Sequence, residues 1–270
     1  MKLSPSVFYA GINLARIHHD DSSRSVEECH ARISVGSSTS AGVDYQSAIA
    51  LIRKHNWDFF SYSESDVDAF RYSLHKFLES YPPKWFSLVI IGREKVRSII
   101  DADEWQCFAF AEVDSGHSPD VVAWWDSISE LARLQEDLRK VQTGRDGELK
   151  TLVYETQLLT GTGLEPKWIS IENNNAGYDV QSWMFNHTTG DFTQKFIEVK
   201  ATVLEIQSLQ FFLSAGEANF AARNSGSWEL HYWRPMSHDP VILKWENIKP
   251  NIPFNQGSGE WRNAKIDLGF

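Results

Sequence analysis

An aspartate, a glutamate and a lysine fall on two strand-like runs in the stretch GYDVQSWMFNHTTGDFTQKFIEVKAT, residues 177 to 202. Side chains alternate faces along a strand, so Glu198 and Lys200 point one way and Ile197 and Val199 the other. Asp179 opens the preceding run, and NHTTGD supplies a polar, glycine-containing turn that makes the two runs antiparallel neighbours. Cross-strand neighbours bring two carboxylates within about 5 to 8 Å, where they repel unless a positive charge sits between them. A divalent cation fills that role. Mg²⁺ takes hard oxygen ligands and keeps several waters, so Asp179, Glu198 and one backbone carbonyl, that of Val199, make a sufficient protein contribution. Lys200 beside such a site would orient or deprotonate a metal-bound water and stabilise negative charge developing on phosphate. Together these parts suit metal-assisted hydrolysis of a phosphodiester.

A plainer reading of the same residues stays open. Asp179 caps a turn after Gly177, and Glu198 with Lys200 forms a solvated ladder worth tenths of a kcal/mol. Gln194 and Lys195 share the strand and reach either phosphate or bare solvent.

The elements that must position these residues are legible in outline. Ser118, Pro119 and the spacing of Val121, Trp125, Ile128, Leu131, Leu134, Leu138 and Val141 predict a helix from about 119 to Thr143-Gly144. Before it, DVDAFRYSLHKFLESY and KVRSIIDADEWQCFAFAEV have helical spacing, whereas SSTSAGVD and YPP read as loops. After it, DGELKTLVYETQLLTGTG predicts a second helix closed by glycine. Strand-like runs follow at WISIEN, YDVQSWMF, FTQKFIEVKAT and LQFFLS, then the helix SAGEANFAARNSG and further runs at WELHYWR and PVILKW. Ser214 and Glu217 fit the spacing of a capping box on that last helix. The expected organisation is a mainly helical region over 1–143 and a mixed α/β domain on one central sheet over 144–270.

Composition narrows the partners. The chain has 270 residues and a net charge of −10, without the basic excess by which a protein grips nucleic acid alone. A nucleic-acid role therefore needs a local patch, a metal ion or a partner. No apolar run reaches the roughly 18 residues of a membrane span, and the first residues lack a signal-peptide core, so the expected location is the cytoplasm. Cys29 and Cys107 imply no disulfide framework. His18, His19, Cys29 and His30 lack the spacing of a structural zinc site, and GSSTSAG lacks the Lys-Ser/Thr ending of a phosphate loop. The 11 tryptophans, Trp124, Trp125 and Trp183 among them, read as core and interface.

Four motifs in order, GRDGE at 144–148, GYDV at 177–180, IEVK at 197–200 and SAGE at 214–217, resemble the PD-(D/E)xK restriction-endonuclease-like superfamily. More narrowly, residues 144 to about 235 resemble the domain named after the C-terminal part of the protein NO VEIN. The resemblance implies a restriction-endonuclease-like central mixed sheet flanked by helices. It implies that Glu148, Asp179, Glu198 and Lys200 form the active centre, with Glu148 entering from the first helix as a metal ligand or holding a water. It also implies a Mg²⁺- or Mn²⁺-dependent nuclease acting on DNA, working beside a helicase or ATPase partner in bacterial defence against phage. A homo-oligomer, and a non-catalytic scaffold with the same fold, are the other expectations carried forward.

Overall fold

The computed structural model describes residues 3–36, 42–205, 208–255 and 259–269. The loop expected at SSTSAGVD, and with it the serine-rich GSSTSAG, falls largely outside the described residues. The chain divides into two compact units, Met1–Asp137 and Leu138–Phe270.

The first unit is helical. It comprises α1 (Pro5–Asp20), α2 (Val26–Gly36), α3 (Tyr45–His55), α4 (Asp66–Ser80), α5 (Arg93–Arg97), α6 (Ala102–Phe110) and the start of α7 (Pro119–Leu158). Side-chain caps define several starts: Asp44 accepts from Ser47 N, Ser65 from Asp68 N and Asp101 from Glu104 N. The cap at Asp101 explains why KVRSIIDADEWQCFAFAEV, expected as one helix, is two. The core is aromatic, with Phe8 meeting Phe60, Phe70 and Phe77 edge-on at 5.8 to 6.5 Å. Trp124 is buried there, and Trp125 donates through its indole N–H to Val113 O at 2.8 Å.

The expected helix stop at Thr143-Gly144 is not observed, because α7 runs unbroken over 40 residues. Gly144 keeps helical geometry rather than the left-handed conformation of a terminator, and Thr143 Oγ1 donates back to Arg139 O within the helix. One glycine inside a helix costs about 1 kcal/mol relative to alanine, which the strong helix formers around it offset. The left-handed glycines come later, at Gly161 and Gly163. In the second unit Gly147 faces the sheet so closely that a Cβ there would lie 2.8 Å from Ala201 Cβ and 3.3 Å from Val199 Cγ1.

The second unit is mixed α/β. Its central sheet has the order β1-β2-β3-β5-β6, with β1 (Lys167–Trp168), β2 (Val180–Asn186), β3 (Asp191–Ala201), β5 (Trp228–Trp233) and β6 (Val241–Lys244). WISIEN does not form the strand expected of it: only Lys167 and Trp168 pair with β2, and Ile169–Glu172 is a helical turn, α8. The backbone amides of Ile169 and Ser170 both donate to Asp179 O there, which pulls the chain out of extended geometry. The hairpin of β2 and β3 is antiparallel, with Val180 opposite Ile197 and Ser182 opposite Lys195. β3 and β5 run parallel, as the crossover through α9 (Ala215–Arg223) requires. LQFFLS is a strand, β4 (Leu209–Ser214), but it pairs with β7 (Asn263–Leu268) in a separate two-stranded sheet. Among the described residues no helix is long and apolar enough to cross a membrane.

Candidate active site

The alternation of β3 sends its residues to two different environments. Ile197 and Val199 go to an apolar face with Val180, Trp233 and Leu152, while Phe196, Glu198 and Lys200 go toward α9. Phe196 packs edge-on to Phe220 of α9 at 5.3 Å, and Phe220 also meets Tyr178 at 5.0 Å. That aromatic group explains Gly177, where φ is +84° and a Cβ would sit 2.9 Å from Phe220 Cβ. The glycine brings the chain tightly past α9 two residues before Asp179.

Asp179 lies one position before β2 and is fixed at both ends. Its amide donates to Ile197 O at 2.9 Å, and its carboxylate Oδ2 accepts from Val199 N at 2.8 Å. Glu198 is 2% exposed, and Lys200 Nζ reaches its Oε1 at 2.7 Å. The same ammonium lies 3.3 Å from Glu217 Oε1. Glu217 has two jobs: Ser214 and Glu217 form the expected capping box, with Ser214 N donating to Glu217 Oε2 at 2.7 Å, and the other carboxylate oxygen serves Lys200.

Burial and charge are set against each other in this group. Burial raises the Asp179 carboxyl to about 6 against the pull of the Val199 amide, with the charge of Glu148 adding to the rise. Burial also pushes Glu198 well above the usual carboxylate range, in spite of Lys200. Lys200 is itself buried, which disfavours its charge, but the charges of Glu198 and Glu217 outweigh that and raise it. Glu217 is lowered, because Lys200 and the Ser214 amide outweigh its burial. Three carboxylates thus share one ammonium as their cation, and two of them are left undercompensated.

Glu148 comes from α7. Its Oε2 accepts from Arg145 Nη1 at 2.8 Å and also contacts Trp168 Nε1 and Ser170 Oγ, so among the described residues its side-chain hydrogen bonds all fall on one oxygen. Among the described residues, no group of three or more His, Cys, Asp or Glu side chains is gathered as a metal set. The donors that fit a hard cation are the carboxylates of Asp179 and Glu198, whose charged forms burial disfavours and beside which Lys200 supplies the positive charge. The histidines near the N-terminus are spent elsewhere: His18 stacks on Trp57 and His19 on Tyr62.

Lys195 and Gln194 do not share the fate considered for them together. Lys195 is on the face opposite Glu198 and is buried, with Nζ 2.8 Å from Glu155 Oε1 and 3.6 Å from Glu229 Oε2. Ser182 donates to the other Glu155 oxygen at 2.6 Å. His231 Nε2 stands 3.8 Å from both Glu155 and Glu229, too long for a hydrogen bond, and neither ring nitrogen has a hydrogen-bond partner. This cluster was not anticipated. Glu155 reads as one more polar residue of a helix, and the only signal pointing to it is Lys195 sitting at an inward position of β3.

One comparison with known families bears on the second unit. Residues 147–244 match the family model for protein NO VEIN, C-terminal. The NO VEIN C-terminal match opens at Gly147, inside α7, and closes at Lys244, the last residue of β6. It therefore includes Glu148, Asp179, Glu198, Lys200 and Glu217, and leaves out β7 and everything before Gly147. No curated protein and no solved structure matches the chain.

Proposed function

We propose that the second unit is a metal-dependent nuclease of the PD-(D/E)xK kind that hydrolyses phosphodiester bonds of DNA. The observation that carries this reading is the trio Asp179, Glu198 and Lys200: a half-buried and a buried carboxylate whose charged forms burial disfavours, on one sheet face, with a lysine bonded between Glu198 and Glu217. Asp179, Glu198 and the carbonyl of Val199 would hold Mg²⁺ or Mn²⁺, with Glu148 nearby. Such an ion supplies Lewis-acid activation of the phosphate and a nucleophilic water at neutral pH.

The protein's own residues account for the rest. The Val199 amide fixes the Asp179 carboxylate. Lys200 keeps its proton between Glu198 and Glu217, so it acts by stabilising negative charge on the phosphate oxygens rather than as a base. Glu148 has an oxygen, Oε1, left over from its contacts to Arg145, Trp168 and Ser170, and that oxygen holds the attacking water. Water adds to phosphorus, the bond to the leaving sugar oxygen breaks, and the proton lost by the water balances the one gained by the leaving group.

The net charge of −10 is in keeping with a nuclease that relies on a partner to load DNA. The resemblance adds that this partner is a helicase or ATPase and that the pair acts in the cytoplasm in defence against phage. One observation favours a second reading. Lys200 pairs with Glu198 and Glu217 without a metal, as it would in a non-catalytic scaffold or a homo-oligomeric assembly protein.

Cleavage of supercoiled and linear DNA with Mg²⁺ or Mn²⁺ separates the two. Cutting that is lost with EDTA, in Asp179→Ala and in Lys200→Ala supports the nuclease. No cutting, together with no Asp179-dependent Mn²⁺ binding by calorimetry, leaves the scaffold.

A further inference from the structure

Next to the carboxylate group the second unit has a groove of about 380 Å³, between α7 and the end of β3. Its wall on α7 is Arg139, Lys140, Thr143 and Gly144; its floor is formed by Val199 to Thr202. Three features set it apart from the rest of the surface. Its lining holds three cations, Arg139, Lys140 and Lys200, and no Asp or Glu, in a protein of net charge −10. It shares Lys200 with the candidate centre, so a chain lying in it reaches the lysine that bonds Glu198. Gly144 meets no packing demand, since a Cβ there would touch nothing within 4 Å, and the missing side chain leaves the groove open.

We propose that this groove is the DNA-backbone subsite of the second unit. Arg139 and Lys140 bind non-scissile phosphates and thereby place the next phosphate against Lys200. The inference rests on the nuclease reading for what happens at Lys200, but not for binding itself. Both α7 cations also interact within the protein, and a phosphate would bind them in addition to or in place of those contacts, releasing counterions and so binding in a salt-dependent way. A guanidinium and an ammonium one residue apart suit a run of phosphates better than a single small anion, because Arg gives paired donors and Lys a point charge. The local patch required of so acidic a chain is here, on the one helix that also carries Glu148.

The test is fluorescence anisotropy of the full chain with a labelled DNA duplex, in Ca²⁺ so that binding is read without cutting, across a salt series. Each phosphate neutralised adds about 0.9 to the slope of log affinity against log salt. Arg139→Gln/Lys140→Gln is expected to weaken binding at least about tenfold and to lower that slope by about 1 to 2, while Arg139→Lys/Lys140→Arg restores both. Equal affinity and slope in wild type and the neutral double variant overturn the proposal, as does the absence of any DNA binding by wild type. Tighter binding of a single-stranded RNA of the same sequence overturns the choice of DNA. Groove-dependent binding without cutting in Mg²⁺ or Mn²⁺ keeps the groove and removes the nuclease. Asp179-dependent cutting with an unaltered salt slope does the reverse.

Discussion

The two faces of β3 each bury a lysine among carboxylates, and they solve the problem in opposite ways. On the face toward α7, Lys195 bonds Glu155, Glu155 gains Ser182 through its second oxygen, and Glu229 stands nearby. On the other face, one lysine serves Glu198 and Glu217, while Asp179 and Glu198 are both pushed toward their protonated forms by burial. The first cluster pairs its lysine with Glu155 and is closed to solvent, with Lys195, Glu155 and His231 all buried. The second is short of positive charge and opens beside a groove lined by Arg139 and Lys140. A buried ion group that satisfies itself fastens elements together; one that does not is available for a ligand. The sequence spacing of Lys195 and Lys200 is the same kind of signal, and only their partners tell them apart.

Variants break this comparison from either side. The largest loss of stability is expected on the closed face. Glu155→Ala leaves Lys195 buried without its main partner and should cost about 3 to 5 kcal/mol, read from urea unfolding. Replacing both by apolar residues, Glu155→Leu with Lys195→Met, should recover most of that loss. On the open face the effect should fall on chemistry instead. Asp179→Ala or Glu198→Ala should reduce DNA cleavage about 10³-fold or more, equivalent to ~4 kcal/mol, with an unchanged circular dichroism spectrum. If either variant unfolds instead, the two faces are alike and the contrast between them fails.

Metal should sharpen the contrast. Mn²⁺ at about 100 times its Kd should stabilise the wild type by ~2.7 kcal/mol and leave Asp179→Asn unchanged, measured as a shift in Tm. The smallest effect is the pH dependence of the metal-free protein. The folded pKa of Asp179, about 6, is above the ordinary 3.8, so its contribution to stability is present at low pH and is lost as pH rises from about 3.8 to about 6. In EDTA the wild type should therefore lose about 2 kcal/mol relative to Asp179→Asn across that window, allowing for partial solvent screening. A flat difference would show that the Val199 amide fully compensates the burial.

What could be read in advance follows from the range of the interactions. The hairpin that pairs Asp179 with Glu198 was legible because alternation and a glycine turn are local, and so was the capping box of Ser214 and Glu217. The unbroken α7 was not: a Thr-Gly pair has the composition of a stop, and only backbone dihedrals show that Gly144 remains helical. The separation of β4 from the central sheet depends on β7, which begins at Asn263, far beyond the end of β4 at Ser214. The cluster around Glu155 joins residues of α7, β2, β3 and β5, and no window of sequence contains them together. The second duty of Glu217 was hidden for a different reason. A cap explains that glutamate completely until Lys200 is seen beside it.

Gly147 sets a clearance. With only a hydrogen where other residues have a methyl, α7 approaches Val199 and Ala201 to a distance that no larger side chain allows. Those two residues bracket Lys200, so the thickness of one methyl group between helix and strand determines how far the end of β3 stands from its surroundings. Gly147→Ala alters no charge and removes no ligand. It acts as a shim under the strand, and is expected to shift the ammonium of Lys200 relative to Asp179 and Glu198 by a few tenths of an ångström, at a point where the proposed chemistry has no tolerance for play.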